Sequence, residues 1–437
     1  MKAKIYLLLA LLVCSGMLVT ITSASPTESS VTLSSSGVVQ QPPATTYSYI
    51  IRVSGSNYQM TDGTTGQIDY QSTKATQVIN AAIGNLTQGG SILFSAGTYN
   101  LNGSITGENK GNITLAFENG ATLFVANGMN KAAIVLTGCS NWLIQNPTIN
   151  GNAANQAVGG GSRPHGIEIV SSNNCQVDGA YIYNCRLFGF YTFSNAVHNG
   201  ITNSKIFNCG WNGMNLGGDA NEYSNYAIHN EVAYCSDVGI TSYGFDNVIQ
   251  DNYVHDMNGT TGYGGGTRWG IGVEGGGNTT ITGNHVVNCE VGIKFDYDEN
   301  GAADGNSNSN TASSNRIEHC LTAGMEIYSD YNTVSDNEFL QWDYASTWKN
   351  AITIGGDNNL ISGNTLNSTF STSVGVVLET GSNNEISSND FITQAGVQVH
   401  AGVTNTIIRN NDFSLCRGTK ISDSGTGTTI IGNLGYP

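Results

Sequence analysis

The sequence is poor in proline, in charged residues and above all in basic residues. Only 6 of its 437 residues are proline, 11% are charged, and lysine and arginine together number 16 against 32 aspartates and glutamates. The formal net charge of -16 argues against a nucleic-acid-binding protein, because contacts with phosphates need a basic surface. It also disfavours an acidic polymer as a partner unless metal ions or local basic residues offset the repulsion.

Long apolar runs are missing after the N-terminus. Residues 1–24 carry one such run, preceded by Lys2 and Lys4 and followed by small residues, which predicts a signal peptide; an uncleaved anchor is the alternative. Residues 25–48 are rich in serine, threonine and proline and predict a flexible tether. We therefore expect residues 49–437 to form one domain of a secreted or cell-surface protein, with no membrane contact beyond that anchor.

Glycine is abundant, with 56 residues, and it recurs in a short motif. In this motif a glycine precedes a short segment in which inward apolar residues alternate with outward residues, and from Gly166 to Gly324 the glycines are 22 to 32 residues apart. A period of this length is typical of solenoids, in which each repeat forms one coil of short strands. The motif glycines are Gly166, Gly189, Gly213, Gly239, Gly270, Gly292, Gly324, Gly375 and Gly396.

Two further columns of residues keep the same register. One asparagine or serine precedes a short strand in each coil, and stacked asparagines can pass hydrogen bonds along the axis. This column is Ser204, Asn230, Asn252, Asn284, Asn315, Asn337, Asn364, Asn389 and Asn411. Five residues later follows a column of mainly cysteines, which we expect to be buried free thiols: Cys185, Cys209, Cys235, Met257, Cys289, Cys320, Trp342 and Cys416.

These columns predict an all-β fold, a right-handed parallel β-helix of about twelve coils at ~4.8 Å per coil. An open solenoid end needs a cap. Ser72 to Leu86 supplies one, because Val78, Ile79, Ala82, Ile83 and Leu86 share one face of a short helix.

The segments Gln77-Val-Ile-Asn-Ala-Ala, Gly89-Gly-Ser-Ile-Leu-Phe-Ser-Ala-Gly-Thr-Tyr and Thr148-Ile-Asn-Gly-Asn resemble the entry to β-helix proteins of the pectate-lyase-like superfamily. That superfamily includes pectate lyases, polygalacturonases, mannuronan epimerases and phage tailspikes. The resemblance covers residues from about 67 to the end, and it implies the fold more specifically than the reaction. It implies a polysaccharide or cell-surface glycan as the partner.

Alternation along the strands places the second and fourth residues after each motif glycine on the outer face. The longest interruptions of the repeat, 153–164, 258–268 and 297–313, border this face and predict a groove. The residues expected to bind substrate there are Glu168, Tyr191, Asn215 and Tyr328, and those expected to take part in catalysis are Lys294, Arg268, Tyr243, Glu274 and Glu326.

An acidic segment suggests a calcium ion as cofactor. Asp296, Asp298, Asn300 and Asp304, with Gly301, match the oxygen-ligand spacing of the first nine positions of an EF-hand loop. The loop departs from the pattern at position 12, where Ser307 stands instead of glutamate. An acidic turn without a metal is the alternative interpretation.

Three reactions are compatible with these residues. Lyase or epimerase chemistry on a uronic-acid polysaccharide needs a base, for which Lys294, Arg268 or Tyr243 is available, and a cation such as calcium. Hydrolysis needs two carboxyl groups, and Glu274 and Glu326 are the candidates. Lyase or epimerase activity is the favoured function, and a non-catalytic structural or adhesive surface protein is the alternative.

The catalytic motifs of the superfamily are incomplete in this chain. Tyr243-Gly-Phe-Asp246 resembles the start of the mannuronan epimerase signature Tyr-Gly-Phe-Asp-Pro-His, but Asn247 and Val248 replace its last two residues. The Asn-Thr-Asp, Asp-Asp and Gly-His-Gly motifs of polygalacturonases are missing from the sequence. The motifs therefore do not decide among the reactions.

Overall fold

The chain winds into a β-solenoid of about 12 turns, seen in a computed structural model that describes residues 46–218, 221–257, 266–296, 307–342 and 350–437. Each coil contributes one strand to each of three long sheets. The predicted all-β fold, a right-handed parallel β-helix of about twelve coils, is confirmed. The predicted signal peptide and nearly all of the predicted tether lie outside the described residues.

The three sheets are named here by the order in which the chain reaches them. The first sheet contains Tyr49–Ser54, Asn57–Asp62, Ile68–Ser72, Gly90–Phe94, Ile113–Phe117, Leu143–Gln145, Gln176–Asp178, Gly200–Thr202, Tyr226–Ile228, Val248–Gln250, Thr280–Thr282, Thr311–Ser313, Thr333–Ser335, Leu360–Ser362, Glu385–Ser387, Ile407–Arg409 and Thr429–Ile431. The second sheet contains Gly97–Leu101, Ala121–Val125, Thr148–Asn150, Tyr181–Tyr183, Lys205–Phe207, Glu231–Ala233, Tyr253–His255, His285–Val287, Arg316–Glu318, Glu338–Leu340, Thr365–Asn367 and Asp390–Ile392. The third sheet contains Ile105–Glu108, Ile134–Thr137, Ile167–Val170, Phe190–Phe193, Met214–Leu216, Ile240–Ser242, Ile271–Val273, Val291–Phe295, Ala323–Ile327, Asn350–Ile354, Val374–Leu378, Ala395–Val399 and Ile421–Asp423.

Strands of successive coils pair in parallel and without a shift of register. In the third sheet Ile271 pairs with Ile293, and Ile293 with Met325, and all three side chains are fully buried. Because side chains alternate along a strand, the residues directly before and after these buried ones in each strand face outward. The alternation predicted from the glycine motif is therefore confirmed, and it fixes which residues lie on the outer face.

The predicted asparagine column forms a ladder of hydrogen bonds between the first and second sheets. Each asparagine Oδ1 accepts a bond from the backbone N–H of the ladder residue one coil earlier, at 2.9 Å for Asn315 to Asn337 and for Asn337 to Asn364. Each Nδ2 group donates to a backbone carbonyl of an earlier coil, as Asn337 does to Ala312 at 2.9 Å. The residue before the asparagine takes a left-handed backbone, with φ of 57° at Asp336, which turns the chain sharply.

A second ladder, which sequence reasoning missed, precedes the strands of the first sheet. Asn225 and Asn247 lie in successive coils, and the Asn225 N–H donates to Asn247 Oδ1 at 2.8 Å. Other members are Asn199, Asn310, Asn332, Asn359 and Asn384, all buried. Threonine replaces asparagine in one coil, at Thr279. That mixture of residue types hides the column from a search for a single repeated residue.

The cysteine column lies inside the solenoid as predicted. The eight cysteines in the described part of the chain are all free and buried, including Cys139 and Cys175, which lie outside the column. They fill the core as small apolar groups beside leucine, isoleucine and valine side chains.

A helix and an antiparallel hairpin cover the N-terminal end of the solenoid. The helix Ala75–Asn85 buries Ala75, Val78, Ile79, Ala82 and Ile83, which confirms the predicted capping helix and its apolar face. The strand Tyr49–Ser54 pairs in parallel with Gly90–Phe94 and in antiparallel with Asn57–Asp62. The open edge of the first coil is thereby shielded from other strands. No helix among the described residues is long and apolar enough to cross a membrane.

Candidate functional site

The candidate site occupies the outer face of the third sheet, on the strands Ile271–Val273, Val291–Phe295 and Ala323–Ile327. Lys294 pairs in register with Gly272 on one side and with Glu326 on the other. Asp296 and Tyr328 lie two residues further along the same face. The sequence-predicted residues Glu274, Lys294 and Glu326 therefore lie on three successive coils, spaced by ~4.8 Å along the axis.

Lys294 lies at the centre of this group. Its Nζ is 3.1 Å from Asp296 Oδ2 and 3.7 Å from Glu326 Oε2. The same ammonium lies 4.1 Å from the ring centre of Trp269 and 5.3 Å from that of Tyr328, within the range of cation–π attraction. The Lys294 side chain is only 14% exposed, so these contacts replace most of its water. Lys294 thus joins the carboxyl groups of two coils.

Glu274 and Tyr243 form a hydrogen-bonded pair beside Lys294. The Tyr243 hydroxyl donates to Glu274 Oε2 at 2.5 Å. Burial raises the pKa of Glu274 to about 7, and the carboxylates of Asp237 and Asp296 add to the rise, whereas Tyr243 and Lys294 oppose it. A carboxyl with this pKa exchanges its proton near neutral pH, which is the property of a general acid or base.

The pKa of Tyr243 is raised mainly by burial and further by the nearby Glu274 carboxylate. A phenol that donates its proton to a carboxylate and titrates at high pH is a poor base at neutral pH. In this geometry Tyr243 positions Glu274. Its predicted role as a catalytic base is therefore less favourable than a role as a hydrogen-bond donor.

A cavity of about 310 Å³ adjoins Glu326 on the C-terminal side of Lys294. Its lining is polar and partly aromatic: Thr322, Ala323, Glu326, Tyr328, Asn350, Thr353 and Glu379. Burial raises the pKa of Glu326, with Lys294 opposing the rise. The cavity and the Lys294 group share Glu326 and Tyr328, so the two form one continuous site.

Arg268 lies at the edge of this face, in the turn that precedes Ile271–Val273. Its Nη2 pairs with Glu290 Oε2 at 2.6 Å, and its backbone is left-handed with φ of 54°. The structure therefore places Arg268 with Glu290 at the turn, while Lys294 lies with Asp296 and Glu326. Its predicted catalytic role stays a prediction.

Three of the predicted substrate-binding residues lie nearer the N-terminal end of the same face, where they are buried. Glu168, Tyr191 and Asn215 are each less than a tenth exposed. Arg163 pairs with Glu168 at 3.0 Å and covers the Tyr191 ring from 5.6 Å. Their contact with a substrate stays a prediction, whereas Tyr328 is partly exposed and lines the cavity.

Several residues of the site escaped the sequence analysis, among them Thr353, Glu379 and Trp269. Thr353 and Glu379 occupy the outward positions two and four residues after Ala351 and Gly375, so the same alternation rule, applied to the next coils, finds them. Trp269 directly precedes the motif glycine Gly270, where the repeat gives no signal. Its contact with Lys294 depends on side-chain packing that periodicity does not encode.

The predicted calcium loop falls mainly outside the described residues, which include Asp296 but not Asp298, Asn300 or Asp304. Asp296 itself pairs with Lys294. The described residues contain no group of three or more histidine, cysteine, aspartate or glutamate side chains arranged to hold a metal ion. Calcium binding at this loop stays a prediction.

The segment that resembles the epimerase signature combines a site residue with a structural one. Tyr243 belongs to the candidate site through its hydrogen bond to Glu274, but Asn247 belongs to the second ladder, where its Nδ2 donates to Ser242 Oγ at 2.9 Å. Asn247 is fully buried, and its Nδ2 also donates to the Leu216 carbonyl at 3.2 Å. The departure from the signature therefore places a ladder residue where the epimerases have proline.

Comparisons with known proteins identify the fold of this chain. A family described as "Right handed beta helix region" matches residues 132–302. The fold is therefore a right-handed parallel β-helix. No curated protein matches the sequence.

Solved β-helix structures are similar to this chain at low sequence identity. The A-module of the mannuronan C-5 epimerase AlgE6 of Azotobacter vinelandii is 15% identical, with a TM-score of 0.51, over 83% of this chain and 96% of that one. The catalytic domain of a GH87 α-1,3-glucanase in complex with nigerose is 13% identical, with a TM-score of 0.55, over 94% of this chain and 70% of that one. The surface adhesin PfbA of Streptococcus pneumoniae is 14% identical, with a TM-score of 0.50, over 80% of this chain and 90% of that one.

Proposed function

We propose that this chain is a polysaccharide-active enzyme whose site is the outer face of the third sheet around Glu274, Lys294 and Glu326. The observation that carries the proposal is the partly exposed carboxyl of Glu274, whose pKa of about 7 suits proton transfer at neutral pH. A raised pKa in a groove lined by polar and aromatic groups is typical of a catalytic site. The elongated face of a solenoid also suits a polymeric ligand.

Hydrolysis of a neutral glycan is the reaction that the described residues favour. Among the described residues, the carboxyl groups of Asp237 and Asp296 lie near Glu274, those of Asp296 and Glu379 lie near Glu326, and the ammonium of Lys294 lies near both glutamates. Such a face repels a polyanion and accepts a neutral sugar. Glu274, protonated below about pH 7, donates its proton to the leaving oxygen. Asp296, paired with Lys294 on the next coil, is the second carboxylate that activates water or attacks the sugar carbon.

Lyase or epimerase chemistry on a uronic-acid polysaccharide is the second candidate, and the position of Lys294 supports it. Lys294 lies one coil from Glu274, so an ammonium stands beside a carboxyl that can remove a proton near neutral pH. In that reaction Glu274 takes the proton from the sugar carbon and Lys294 neutralises the substrate carboxylate. Calcium, bound at Asp296, Asp298, Asn300 and Asp304, would supply further positive charge to the substrate carboxylate.

Product analysis on a panel of polymers tests both candidates. The chain is incubated with neutral glucans, galactomannan and xyloglucan, and with alginate and polygalacturonate, with calcium and then with chelator. New reducing ends without ultraviolet absorbance identify hydrolysis, and absorbance of an unsaturated product identifies elimination. An altered uronate composition at constant chain length identifies epimerisation.

The variant Glu274→Gln separates catalysis from binding. It keeps the shape and the hydrogen bond to Tyr243 but cannot transfer a proton, so we expect turnover to fall by about 100-fold or more. The matched control is Glu108→Gln, which changes an exposed glutamate that is distant from the site in the sequence. If the panel yields no product with the folded chain, the enzyme proposal is wrong, and a structural or adhesive surface protein becomes the better account.

A further inference from the structure

A row of aromatic side chains runs along the outer face of the second sheet, away from the site on the third sheet. Its members, called here the aromatic strip, are Tyr181, Tyr183, Phe207, Tyr234, Tyr253, His255 and His285. They lie on or directly after the strands Tyr181–Tyr183, Lys205–Phe207, Glu231–Ala233, Tyr253–His255 and His285–Val287. These strands belong to five consecutive coils, so the strip extends roughly 20 Å along the solenoid axis.

Each ring of the strip contacts the next. Ring centres are 4.9 Å apart for Tyr181 and Tyr183, 6.0 Å for Tyr181 and Phe207, and 6.2 Å for Phe207 and Tyr234. The series continues from Tyr234 to His255 at 6.0 Å. It ends with Tyr253, which is 4.1 Å from His255 and 5.2 Å from His285. The contacts hold the rings in fixed orientations.

The stability of the fold does not explain why the rings of the strip are exposed. Tyr181 and Tyr234 are each 43% exposed and Tyr253 is 40% exposed, although large apolar side chains are ordinarily covered. The outer face of the first sheet shows the contrast. Its outward positions in three consecutive coils are small and polar, with Thr280, Thr282, Thr311, Ser313, Thr333 and Ser335. The fold therefore does not require aromatic side chains on an outer face.

Among the described residues beside the strip, four carboxylates (Glu231, Asp256, Glu318 and Glu338) outnumber two permanent cations (Lys205 and Arg316), so the net charge there is negative. Lys205 pairs with Glu231 at 2.6 Å, and His255 Nδ1 is 2.8 Å from Asp256. His285 is 2.6 Å from Glu318. A platform that stacks nucleic-acid bases needs a positively charged groove, and these carboxylates exclude it. They also disfavour an acidic glycan, but they can accept hydrogen bonds from sugar hydroxyl groups.

We propose that the aromatic strip is a binding surface for a neutral glycan chain, separate from the catalytic site. A sugar ring has an apolar C–H face and a hydroxyl edge, so it stacks on a tyrosine ring while its hydroxyl groups bond to the adjacent carboxylates. The rigid row of rings pre-forms the surface and lowers the ordering cost of binding. The substrate class rests on the proposed function, but binding at the strip does not require turnover.

The strip ends close in sequence to the site. Residues 288–290 separate the strand His285–Val287, which carries the last ring, from the strand Val291–Phe295, which carries Lys294. One coil thus carries a strip residue on one face and a site residue on the next. A polymer held by the strip keeps its neighbouring segments near the site and raises their local concentration there.

Affinity electrophoresis of the full chain tests this proposal. Native gels contain soluble starch, dextran, xyloglucan or galactomannan, or alginate and polygalacturonate as polyanions. The variant Tyr181→Leu/Tyr253→Leu keeps apolar bulk but removes two flat rings, and Tyr181→Ala/Tyr253→Ala is the second variant. Tyr70→Ala/Tyr223→Ala is the matched control, because both residues are exposed tyrosines outside the strip. Thermal unfolding verifies that each variant is folded.

We expect at least one neutral glycan to retard the chain, and the two strip variants to lose about tenfold or more in affinity while the control keeps it. Equal retardation of the strip variants and the chain, retardation by polyanions alone, or no retardation by any glycan overturns the proposal. Retarded protein that yields no products would refute the proposed enzyme function and leave the strip intact. Retardation should persist in Glu274→Gln.

Discussion

At the scale of single residues, the largely but not fully buried carboxyl of Glu274 links stability to pH. Burial raises its pKa from 4.5 to about 7, so between these values the folded chain holds a proton that the unfolded chain has lost. Stability is therefore expected to fall as pH rises through this window, by up to ~1.4 kcal/mol per pH unit and by less where solvent reaches the group. In Glu274→Gln this loss is absent.

Urea midpoints measured at several pH values across that window check this expectation. The comparison is between the wild type, Glu274→Gln and the exposed control Glu108→Gln. A wild-type pH dependence that survives unchanged in Glu274→Gln would show that this carboxyl titrates outside the window.

The asparagine ladder gives a second prediction for a single residue. Asn337 Oδ1 accepts from the Asn315 N–H, and its Nδ2 donates to the Ala312 carbonyl, both at 2.9 Å in the core of the turn. Asn337→Ala leaves these buried groups without partners, which costs ~1–3 kcal/mol for each unsatisfied group. Chemical unfolding measures the loss, and the exposed Asn102→Ala should change stability by less than ~0.5 kcal/mol. Equal stabilities for both variants would mean that water replaces the ladder bonds.

The periodicity of the sequence predicts some properties of single residues and not others. The outward positions of Lys294 and Glu326 follow from strand alternation and could be predicted. The pKa of Glu274 could not, because it depends on how neighbouring coils exclude water and on the charges of Asp237 and Asp296. Trp269 lies outside the alternating positions, so its contact with Lys294 appears only when the coils are packed.

At the scale of elements, the capping helix contributes through one face. Ile79 lies on the buried face of Ala75–Asn85 and is fully buried, so Ile79→Ala should destabilise the chain by ~2–5 kcal/mol through lost packing and the cavity left behind. Gly84 is on the exposed face, and a Cβ added there would meet nothing within 4 Å. Gly84→Ala should instead stabilise by ~0.5–1 kcal/mol, because alanine favours the helix.

Thermal or urea unfolding of the two variants gives the comparison within one helix. A loss of stability in Ile79→Ala together with a gain in Gly84→Ala supports the role of the buried helix face in packing. A neutral Ile79→Ala would show that the helix contributes little to covering the first coil.

The prediction of elements succeeded where a residue class recurs and failed where it changes. The first ladder is mostly asparagine, and its strands could be placed from the sequence. The second ladder has Thr279 in place of asparagine and could not be recognised, although its buried position is the same. Thr279 still forms buried hydrogen bonds at this position, because its N–H donates to Asn310 Oδ1 and its Oγ1 lies 3.0 Å from Ser242 Oγ.

At the scale of the whole molecule, the cysteines report on the integrity of the solenoid. All eight described cysteines are free and buried, and burial raises the pKa of thiols such as Cys289 and Cys320. A thiol reagent should therefore react with these thiols only when the coils open, because the thiolate is the reactive form. Mass spectrometry after brief labelling across a urea gradient checks this. Labelling of several of these thiols in the native chain would contradict the packed core.

The site as a whole draws its residues from several coils, which is why motif searches do not find it. Glu274, Lys294 and Glu326 are separated by 20 and 32 residues in the chain but lie on neighbouring strands. Coil lengths differ because insertions interrupt the repeat, so no fixed spacing identifies such a site. The pairing register of the strands, and not a fixed spacing in the sequence, brings these residues together.

The most direct test of the central claim is the pH dependence of glycan cleavage by the wild type and by Tyr243→Phe. With Glu274 as the proton donor, the wild-type rate should fall as pH rises through about 7. Tyr243→Phe removes the hydrogen bond that lowers the pKa of Glu274, so its descending limb should move to higher pH. A limb that does not move in Tyr243→Phe, with activity retained, would contradict proton transfer by Glu274.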